Sequence, residues 1–253
     1  MSIVAVIPAR YASTRLAEKL LLDLDGKSVL QRTYEQASRA KLISQVVIAT
    51  DDERIFKHAE SFGAKVQMTS TEHQSGTDRI AELTLKNPDW QIIVNVQGDE
   101  PFINPNDIDL ALEPFIHDPL LQMTSLYHEI TDPDEINNPN NVKVVTDLNG
   151  DAMYFSRAAI PRRREEIATS QAAPAPRNDR IYKKHIGLYA YRRETLLLLA
   201  GLPQTILEQT EKLEQLRALE NGIKIKMLKV ASAPIGIDTE QDYQMALSQI
   251  KQN

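Results

Sequence analysis

Apolar and polar positions along the first hundred residues predict strands that alternate with amphipathic helices. Short apolar runs, typical of buried strands, read IVAVI, QVVIAT, AKVQM and QIIVNV. The segments KSVLQRTYEQASRA and DDERIFKHAESFG lie between them and have helical spacing of apolar residues. Asp51 or Asp52 is placed to cap the second helix, and Gly63 to end it. This βαβ order indicates an α/β protein with a parallel sheet.

The middle of the chain has a different pattern, because its apolar runs follow one another without long helices between them. LLQMTSLYHEI, NVKVVTD, AMYFSR and KKHIGLYAYR predict strands that extend the same domain as a mixed sheet. The tail predicts a helix in LEQTEKLEQLRALENG, a strand in IKIKMLKVA and a helix in TEQDYQMALSQIKQ. We therefore expect a single domain over residues 1–253. The segment EEIATSQAAPAPRND predicts a mobile surface loop near residues 162–180.

Composition narrows the classes of function. The 253 residues are 42% hydrophobic and 25% charged, which suits a globular protein with a substantial core. A net charge of −6 without a long basic run gives little support for a nucleic-acid or anionic-membrane surface. The sequence contains no cysteine, which excludes disulfides, thiolate zinc sites and cysteine nucleophiles. Since no apolar run approaches membrane length, we expect a cytoplasmic protein.

Three cations follow the first predicted strand, where open α/β sheets bind their ligands. Arg10, Arg15 and Lys19 are separated by five and four residues. A loop with this spacing can bring all three onto one polyanion, and a nucleoside triphosphate is the obvious candidate. Solvated surface cations are the alternative reading of the same spacing.

Two aspartates also follow apolar runs, Asp99 in QGDEP and Asp238 in GIDT. Both can therefore lie at the same edge of the sheet. Two carboxylates, together with phosphate oxygens and water, are the usual ligands of Mg²⁺. The alternatives are a turn residue for Asp99 and the N-cap of the last helix for Asp238. Spacing alone favours the N-cap at Asp238.

Other polar residues have weaker signals. His185 and Tyr189 lie four residues apart on a predicted strand and so point to the same side, with a core-facing pair as the alternative. Arg157 follows the strand residues YFS and can be a functional residue or, equally, the partner in a structural ion pair. On the helical pattern alone, Glu214 and Gln215 are solvent-facing. The sequence has no Walker loop and no nucleophile–base–acid arrangement.

Taken together, the motifs resemble the 3-deoxy-manno-octulosonate (Kdo) cytidylyltransferase family, also called CMP-Kdo synthetase. In chain order they read IPARYASTRL, IATDDERI, HQSGTDR, VNVQGDEP, NPNNVKVV, YFSRAAIP, KHIGLYAYR, TEKLEQLRALENG and GIDTEQD. The resemblance implies a Rossmann-like nucleotide-diphospho-sugar transferase fold, a three-layer sandwich with a mixed, mostly parallel sheet, in a homodimer. It also implies Mg²⁺-dependent transfer of CMP from CTP to the anomeric hydroxyl of Kdo, giving CMP-Kdo and pyrophosphate for lipopolysaccharide biosynthesis.

The resemblance assigns roles to individual positions. The catalytic residues it implies are Lys19, Asp99 and Asp238, of which the two aspartates are also the Mg²⁺ ligands. The nucleotide-binding residues it implies are Pro8, Ala9, Arg10, Arg15, Lys19, Ser75, Gly76 and Arg79. The residues it implies for the sugar acid are Gln97, Arg157, His185, Tyr189, Glu214 and Gln215. Arg157 would pair with the Kdo carboxylate.

The chain departs from the family at RLAEKLL, where the family often reads RLPGKPL. Ala17, Glu18 and Leu20 stand where the family has proline, glycine and proline. Because LAEKLL has strong helix propensity, we expect this segment to be helical or mobile before CTP binds. We also expect Glu18 to point to solvent and to cost below about 1 kcal/mol. The alternative is that its charge weakens CTP binding or alters the choice of nucleotide or sugar.

Two other readings remain open at the level of sequence. One keeps the cytidylyltransferase chemistry with 8-amino-Kdo or another acidic sugar, although His73 with Gln74 favours ordinary Kdo. The other is a nucleotide-binding module or a catalytically impaired paralogue, which the retention of both aspartates argues against. Three consecutive arginines, residues 162–164, fit either a mobile lid or solvated surface charge, and we assign them no role.

Overall fold

The computed structural model describes residues 1–12, 16–162 and 182–251. The chain divides into two compact units. The first unit comprises Met1–Thr124, Gly187–Leu202 and Pro234–Asn253, and the second comprises Ser125–Ile186 and Pro203–Ala233. A single domain over residues 1–253 stays a prediction. The predicted mobile loop near 162–180 lies, apart from Arg162, outside the described residues.

Strands and α-helices alternate from residue 3 to residue 112, and the later part of the described chain has runs of strands and runs of helices. The strands are β1 (Ile3–Ala9), β2 (Gln45–Thr50), β3 (Val66–Met68), β4 (Ile92–Asn95), β5 (Met123–Ile130), β6 (Lys143–Thr146), β7 (Ala152–Ser156), β8 (Tyr182–Arg192) and β9 (Ile225–Lys229). The α-helices are α1 (Val29–Ala37), α2 (Glu53–Ser61), α3 (Gly76–Lys86), α4 (Pro105–Leu112), α5 (Pro114–His117), α6 (Pro133–Asn137), α7 (Arg193–Gly201), α8 (Ile206–Glu211), α9 (Gln215–Glu220) and α10 (Glu240–Ile250).

Strand β1 is the centre of the sheet in the first unit. It pairs in parallel with β2 on one side and with β4 on the other, and β2 pairs in parallel with β3. Strand β4 pairs antiparallel with residues 189–192 of β8. Residues 3–7 of β1 are each at most 5% exposed, as expected of a strand covered on both faces. The predicted parallel βαβ arrangement is therefore confirmed.

Local sequence signals set the ends of helices α1 and α2. The Ser28 hydroxyl accepts a hydrogen bond from the Gln31 N–H at 3.0 Å at the start of α1. Asp52, one of the two predicted caps, accepts from the Arg54 N–H at 2.8 Å at the start of α2. Gly63 follows α2 with a φ of 77°, a left-handed conformation that glycine adopts readily. These contacts confirm the predicted start and end of α2.

The second unit is built mainly from antiparallel strands. Strands β6 and β7 form an antiparallel pair, and β6 also pairs antiparallel with residues 183–184 of β8. Strands β5 and β9 are neighbours in their sheet. This agrees with the prediction that the middle strands follow one another without long helices.

The prediction of one continuous helix in LEQTEKLEQLRALENG is wrong, because the structure has two short helices there. Helix α8 ends at Glu211, the following Lys212 has a left-handed φ of 55°, and α9 begins at Gln215. Arg217 of α9 contacts Glu208 of α8, with its Nε 2.8 Å from Oε2, and both side chains are buried. This tertiary ion pair overrides the helix propensity of the residues between the two helices.

Within the described ranges, none of the helices combines the length and the apolar character that a membrane span needs.

Candidate active site

A cavity of about 230 Å³ lies in the first unit, beside the carboxyl end of β1. Most of the predicted nucleotide-binding residues line it, and so does Gln97 from the predicted sugar-binding set. The lining residues are Pro8, Ala9, Arg10, His73, Gln74, Ser75, Gly76, Arg79 and Gln97. Arg15 lies outside the described residues, and Lys19 does not line the cavity.

The start of helix α3 forms one wall of this cavity. The Ser75 hydroxyl accepts from the Asp78 N–H at 3.1 Å, and the Asp78 carboxylate accepts from the Ser75 N–H at 3.1 Å. A Cβ on Gly76 would lie 3.3 Å from Cγ of Pro8, so glycine lets the first turn of α3 pack against the end of β1. The N–H groups at a helix start carry partial positive charge, which favours an anionic ligand.

Arg79 lines the cavity, but its guanidinium is engaged by the protein. Its Nη2 lies 2.8 Å from Oδ2 of Asp51, and its Nη1 donates to the hydroxyl of Thr69. Arg79 is only 5% exposed. These contacts tie helix α3 to the end of β2 and to the residue after β3, so Arg79 fixes the wall of the cavity.

Lys19 lies between the two aspartates that the resemblance assigns to Mg²⁺. Its Nζ contacts Oδ2 of Asp99 and lies 2.9 Å from Oδ1 of Asp238. Burial alone would lower the pKa of Lys19, but the ion pairs with both carboxylates outweigh burial and raise that pKa. All three residues belong to the first unit. The two carboxylates therefore converge on one cation, as their positions after apolar runs predict.

The N-cap alternative for Asp238 is wrong. Helix α10 is capped by Thr239, whose hydroxyl accepts from the Asp242 N–H at 3.2 Å. The Asp242 carboxylate in turn accepts from the N–H groups of Thr239 at 2.9 Å and Asp238 at 3.1 Å. Because Thr239 and Asp242 complete the capping box, the Asp238 carboxylate contacts Lys19 instead.

The donor set around Lys19 fits a divalent cation. Oε2 of Glu100 is buried and has no hydrogen-bond partner among the described residues. Burial, together with the negative charges of Asp99 and Asp238, raises the pKa of Glu100 to about 8. A carboxyl group with this pKa is mostly protonated at neutral pH, so the excess negative charge of the site comes from Asp99 and Asp238, which share the single ammonium of Lys19. In the described residues no group of three or more His, Cys, Asp or Glu side chains is arranged to hold a metal, but Mg²⁺ often needs only two carboxylates.

The segment that departs from the family forms a 3₁₀ turn over Lys19–Leu21, not a longer helix. Glu18 precedes it with a φ of 53°, the left-handed region in which the family's glycine would be unstrained. The exposed Glu18 carboxylate accepts from the Tyr11 hydroxyl. The Tyr11 ring lies 3.3 Å below the guanidinium carbon of Arg54. The expectation that Glu18 points to solvent agrees with this exposure.

Two residues predicted to contact the sugar acid lie in the first unit. Nε2 of Gln97 donates to Oδ1 of Asn95 at 3.2 Å and to the Gly187 carbonyl at 3.4 Å. Tyr189 is partly exposed, and its ring centroid lies 6.1 Å from that of Tyr191. Gln97 is therefore held by two protein acceptors beside the cavity.

Arg157 lies in the second unit, and its guanidinium donates to backbone carbonyls. Its Nε donates to the Glu211 carbonyl at 3.0 Å, and its Nη1 donates to the Pro139 carbonyl at 3.1 Å. Its backbone N–H donates to Oε2 of Glu211 at 3.0 Å. Since its guanidinium contacts are to backbone carbonyls, the described residues do not support the side-chain ion pair that the sequence left open.

His185 also lies in the second unit, on β8. The Ser125 hydroxyl lies 3.0 Å from its Nε2, and the ring of Phe155 packs edge-on at a centroid distance of 5.0 Å. Burial lowers the pKa of His185 to about 3, so the imidazole is neutral at physiological pH. Along β8, partly exposed positions alternate with buried ones, as the strand pattern predicts.

Glu214 and Gln215 are not the solvent-facing pair that the helical pattern suggests. Gln215 is only 6% exposed, and Glu214 is partly exposed, with its Oε1 3.6 Å from Nη2 of Arg217. Because the chain breaks at Lys212, α9 is a separate helix that begins at Gln215. The side chain of Gln215 is buried in the second unit. The expectation of solvent exposure is therefore wrong for Gln215.

Sequence reasoning missed several residues that organise these sites. Asp51 appeared only as a possible helix cap, whereas it holds Arg79. Glu211 and Lys143 carried no recognised signal, although Lys143 stands inside an apolar strand run and is completely buried. The position of Lys143 within an apolar run is a sequence signal that could have indicated a buried charge.

Comparisons with known proteins agree with the motifs. The family described as Cytidylyltransferase matches residues 4–225. The 3-deoxy-manno-octulosonate cytidylyltransferase of Syntrophotalea carbinolica is 50% identical over 96% of this chain and 96% of its own. The protein of that name from Geobacter sulfurreducens is 46% identical over 99% of this chain and 100% of its own.

A solved structure of CMP:2-keto-3-deoxy-manno-octonic acid synthetase complexed with CTP is similar over the whole chain. It has a TM-score of 0.90 and 40% identity, and the match covers 100% of this chain and 99% of that one. The predicted fold class is thereby confirmed. The chain belongs to the 3-deoxy-manno-octulosonate cytidylyltransferase family, and it is a nucleotidyltransferase.

Proposed function

We propose that this chain transfers CMP from CTP to the anomeric hydroxyl of Kdo and releases pyrophosphate, with Mg²⁺ as its cofactor. The observation that carries the proposal is the convergence of Asp99 and Asp238 on the Lys19 ammonium. Relatives named for this activity are 45–50% identical to the chain. The proposed site is thus an anion-binding cavity and a carboxylate pair within the first unit.

The cavity beside β1 is proposed to hold the nucleotide. Arg10 is exposed at its edge and can meet the triphosphate, and the start of α3 brings the partial positive charge of a helix N-terminus to the same cavity. Arg15, which the resemblance also assigns to the triphosphate, keeps that role as a proposal. His73 and Gln74 line the same cavity and supply polar groups for the base or the sugar hydroxyls.

In the proposed reaction, the anomeric oxygen of the sugar attacks the α-phosphate in line with the departing pyrophosphate. The new bond joins that oxygen to phosphorus, the bond between the α- and β-phosphates breaks, and the hydroxyl loses its proton. Lys19 and Arg10 would stabilise the charge that develops on the leaving group. Asp99 and Asp238 would hold Mg²⁺, which when bound neutralises phosphate charge and lowers the pKa of the attacking hydroxyl.

The residues that the resemblance assigns to the sugar acid keep that role as a proposal, and they are Gln97, Arg157, His185, Tyr189, Glu214 and Gln215. Two nitrogens of the Arg157 guanidinium donate to carbonyls, and within the described residues its Nη2 meets no protein acceptor. That nitrogen can donate to the Kdo carboxylate. Neutral His185 can donate or accept at a sugar hydroxyl without adding charge.

A pyrophosphate-release assay tests the proposal by crossing CTP, UTP, ATP and GTP with Kdo, 8-amino-Kdo and a nonulosonate, each with and without Mg²⁺. We expect release only with CTP, Kdo and Mg²⁺ together. Release with 8-amino-Kdo or the nonulosonate in place of Kdo would reassign the sugar. No release with any pair, while CTP still binds, would identify a catalytically impaired nucleotide-binding protein.

The setting of the reaction is part of the same proposal. We place the enzyme in the cytoplasm as a homodimer, with CMP-Kdo supplied to lipopolysaccharide biosynthesis. The absence of a membrane-spanning helix among the described residues is compatible with this setting. Sedimentation of the purified chain would test the dimer.

A further inference from the structure

Glu211 is the centre of a hydrogen-bond network in the second unit. Its Oε1 accepts from the Ser156 hydroxyl at 2.6 Å and from the Tyr154 hydroxyl at 3.4 Å. Its Oε2 accepts from the Arg157 N–H at 3.0 Å, and its backbone carbonyl accepts from Nε of Arg157 at 3.0 Å. One residue of α8 therefore holds both the main chain and the side chain of Arg157.

We infer that Glu211 is a positioning residue that sets the direction of the Arg157 guanidinium toward the carboxylate of the acidic sugar. The inference rests on the proposed role of Arg157 in binding that carboxylate. It adds a residue that would act through Arg157 and not through contact with the substrate.

The hydrogen-bond partners of Arg157 lie on two different segments of the chain. Glu211 holds the backbone and Nε, while the Pro139 carbonyl receives Nη1 at 3.1 Å. A planar guanidinium with two of its nitrogens fixed cannot rotate freely about its last torsion. The direction of Nη2 is then determined by the protein before substrate arrives, which reduces the entropy lost on binding.

Electrostatics support the same role. Burial alone would raise the pKa of Glu211, but the hydrogen bonds from the Arg157 N–H and the Ser156 hydroxyl outweigh burial and lower it. Glu211 is therefore an anion beside the Arg157 cation at neutral pH. The negative charge of Glu211 compensates the positive charge of the partly buried Arg157 when no substrate carboxylate is bound.

Glu211 also lies at a structural junction. It is the last residue of α8, next to the left-handed Lys212, and Glu214 and Gln215 follow within four residues. The β7 end that carries Ser156 and Arg157 is thus joined to the segment that carries two further residues proposed to contact the sugar. A change at Glu211 should affect the sugar side of the reaction selectively.

The test is a double-mutant cycle with Glu211→Gln and Arg157→Ala. An amide in place of the carboxylate turns one acceptor into a donor, which then faces either the Ser156 hydroxyl or the Arg157 N–H. We expect Glu211→Gln to raise the KM for Kdo about tenfold and to leave the KM for CTP within about twofold. In the Arg157→Ala background the same change should have no further effect on the KM for Kdo.

Two further variants keep the result interpretable. Glu220→Gln makes the same chemical change at an exposed position of α9 and should leave both KM values unchanged. Ser156→Ala removes one hydrogen bond to Glu211 and should raise the KM for Kdo in the same direction by a smaller factor. This milder variant carries the test if Glu211→Gln fails to fold.

Different results overturn different statements. If Arg157→Ala leaves the KM for Kdo unchanged, the proposed carboxylate contact fails and the inference fails with it. If Arg157→Ala raises that KM but Glu211→Gln and Ser156→Ala do not, only the role of Glu211 is overturned. Equal increases in both KM values, or an undiminished effect in the Arg157→Ala background, would show that Glu211 has a general structural role.

Discussion

Two lysines of this chain have opposite kinds of partners. Lys19 of the first unit contacts the carboxylates of Asp99 and Asp238, and its side chain is 17% exposed. Lys143 of the second unit is completely buried and donates to three backbone carbonyls. Those carbonyls belong to Asn138 at 3.0 Å, Arg157 at 2.6 Å and Asn141.

The difference in partners changes the pKa of each ammonium in an opposite direction. Burial opposes the charge of Lys19, but two carboxylates outweigh burial and raise its pKa. Burial, with the nearby charge of Arg157, lowers the pKa of Lys143. Carboxylates can exchange one cation for another, whereas Lys143 is completely buried and its partners are backbone carbonyls fixed by the fold. Lys19 is therefore suited to a binding site, and Lys143 joins the 138–141 stretch to Arg157 at the end of β7.

The largest effect should follow from removing a carboxylate beside Lys19. Asp99→Asn keeps the shape of the side chain but removes the charge that would hold Mg²⁺ and Lys19. We expect kcat to fall about 1000-fold while the circular dichroism spectrum stays unchanged. Asp89→Asn, the same change at an exposed position, should leave kcat unchanged. A kcat within about threefold of the parent enzyme would contradict the assignment of Asp99 to the metal and to catalysis.

The second prediction concerns Lys143, whose loss should affect the stability of the protein. Lys143→Met fills a similar volume but removes the charged donor to three carbonyls, of which, within the described ranges, only that of Asn138 keeps a backbone donor, the Asn141 N–H at 3.1 Å. We expect the free energy of unfolding to fall by about 3 kcal/mol, measured by urea denaturation. Lys224→Met, at an exposed lysine of the same unit, should change it by less than about 0.5 kcal/mol. Equal stability of the two variants would show that the carbonyls do not depend on Lys143.

The third prediction extends the contrast to His185, whose ring lies beside the Ser125 hydroxyl and the Phe155 ring. Folding lowers its pKa from 6.5 to about 3, so the unfolded chain takes up the proton more readily. Its contribution to stability is complete above pH 6.5 and is lost as pH falls toward 3. Because solvent partly reaches the ring, we expect a loss of about 1–2 kcal/mol at pH 5 relative to pH 7.

Urea denaturation at the two pH values measures this loss as the difference between the parent and His185→Gln. His117→Gln, at an exposed histidine, is the control and should keep the parent's pH dependence. An equal pH dependence for the parent and His185→Gln would contradict a neutral, buried His185.

Most of the fold could be predicted because its signals are local. The apolar runs and caps of the first unit depend on neighbouring residues. Asp52 caps the start of α2 and Gly63 follows its end, as the sequence indicates. The break between α8 and α9 depends instead on the buried pair of Arg217 with Glu208, which no local pattern contains. Propensity therefore predicted one helix where tertiary contacts make two.

The candidate site was predictable only in part, for a similar reason. The apolar runs before Asp99 and Asp238 predicted that both can lie at the same edge of the sheet, but only the fold shows that Thr239, not Asp238, caps α10. Motifs named Arg157 but could not find Glu211, because that contact joins residues 54 positions apart.

The smallest effect concerns the residue beside Lys19. Glu18 has a φ of 53°, so Glu18→Gly should remove backbone strain. The variant also loses an exposed hydrogen bond from Tyr11 and gains freedom in the unfolded chain, which reduces the benefit. We expect a net gain of about 0.5–1 kcal/mol in the free energy of unfolding.

The same variant tests whether the charge of Glu18 disturbs the site around Lys19. Since the Glu18 carboxylate is exposed and bonded to Tyr11, we expect the KM for CTP to stay within about twofold of the parent. Ala17→Gly is the control, because Ala17 has no positive φ and should lose stability with a glycine. A clear fall in the KM for CTP in Glu18→Gly would mean that the carboxylate opposes the triphosphate. Lys19 would then bind CTP less well here than beside the glycine that the family has at this position.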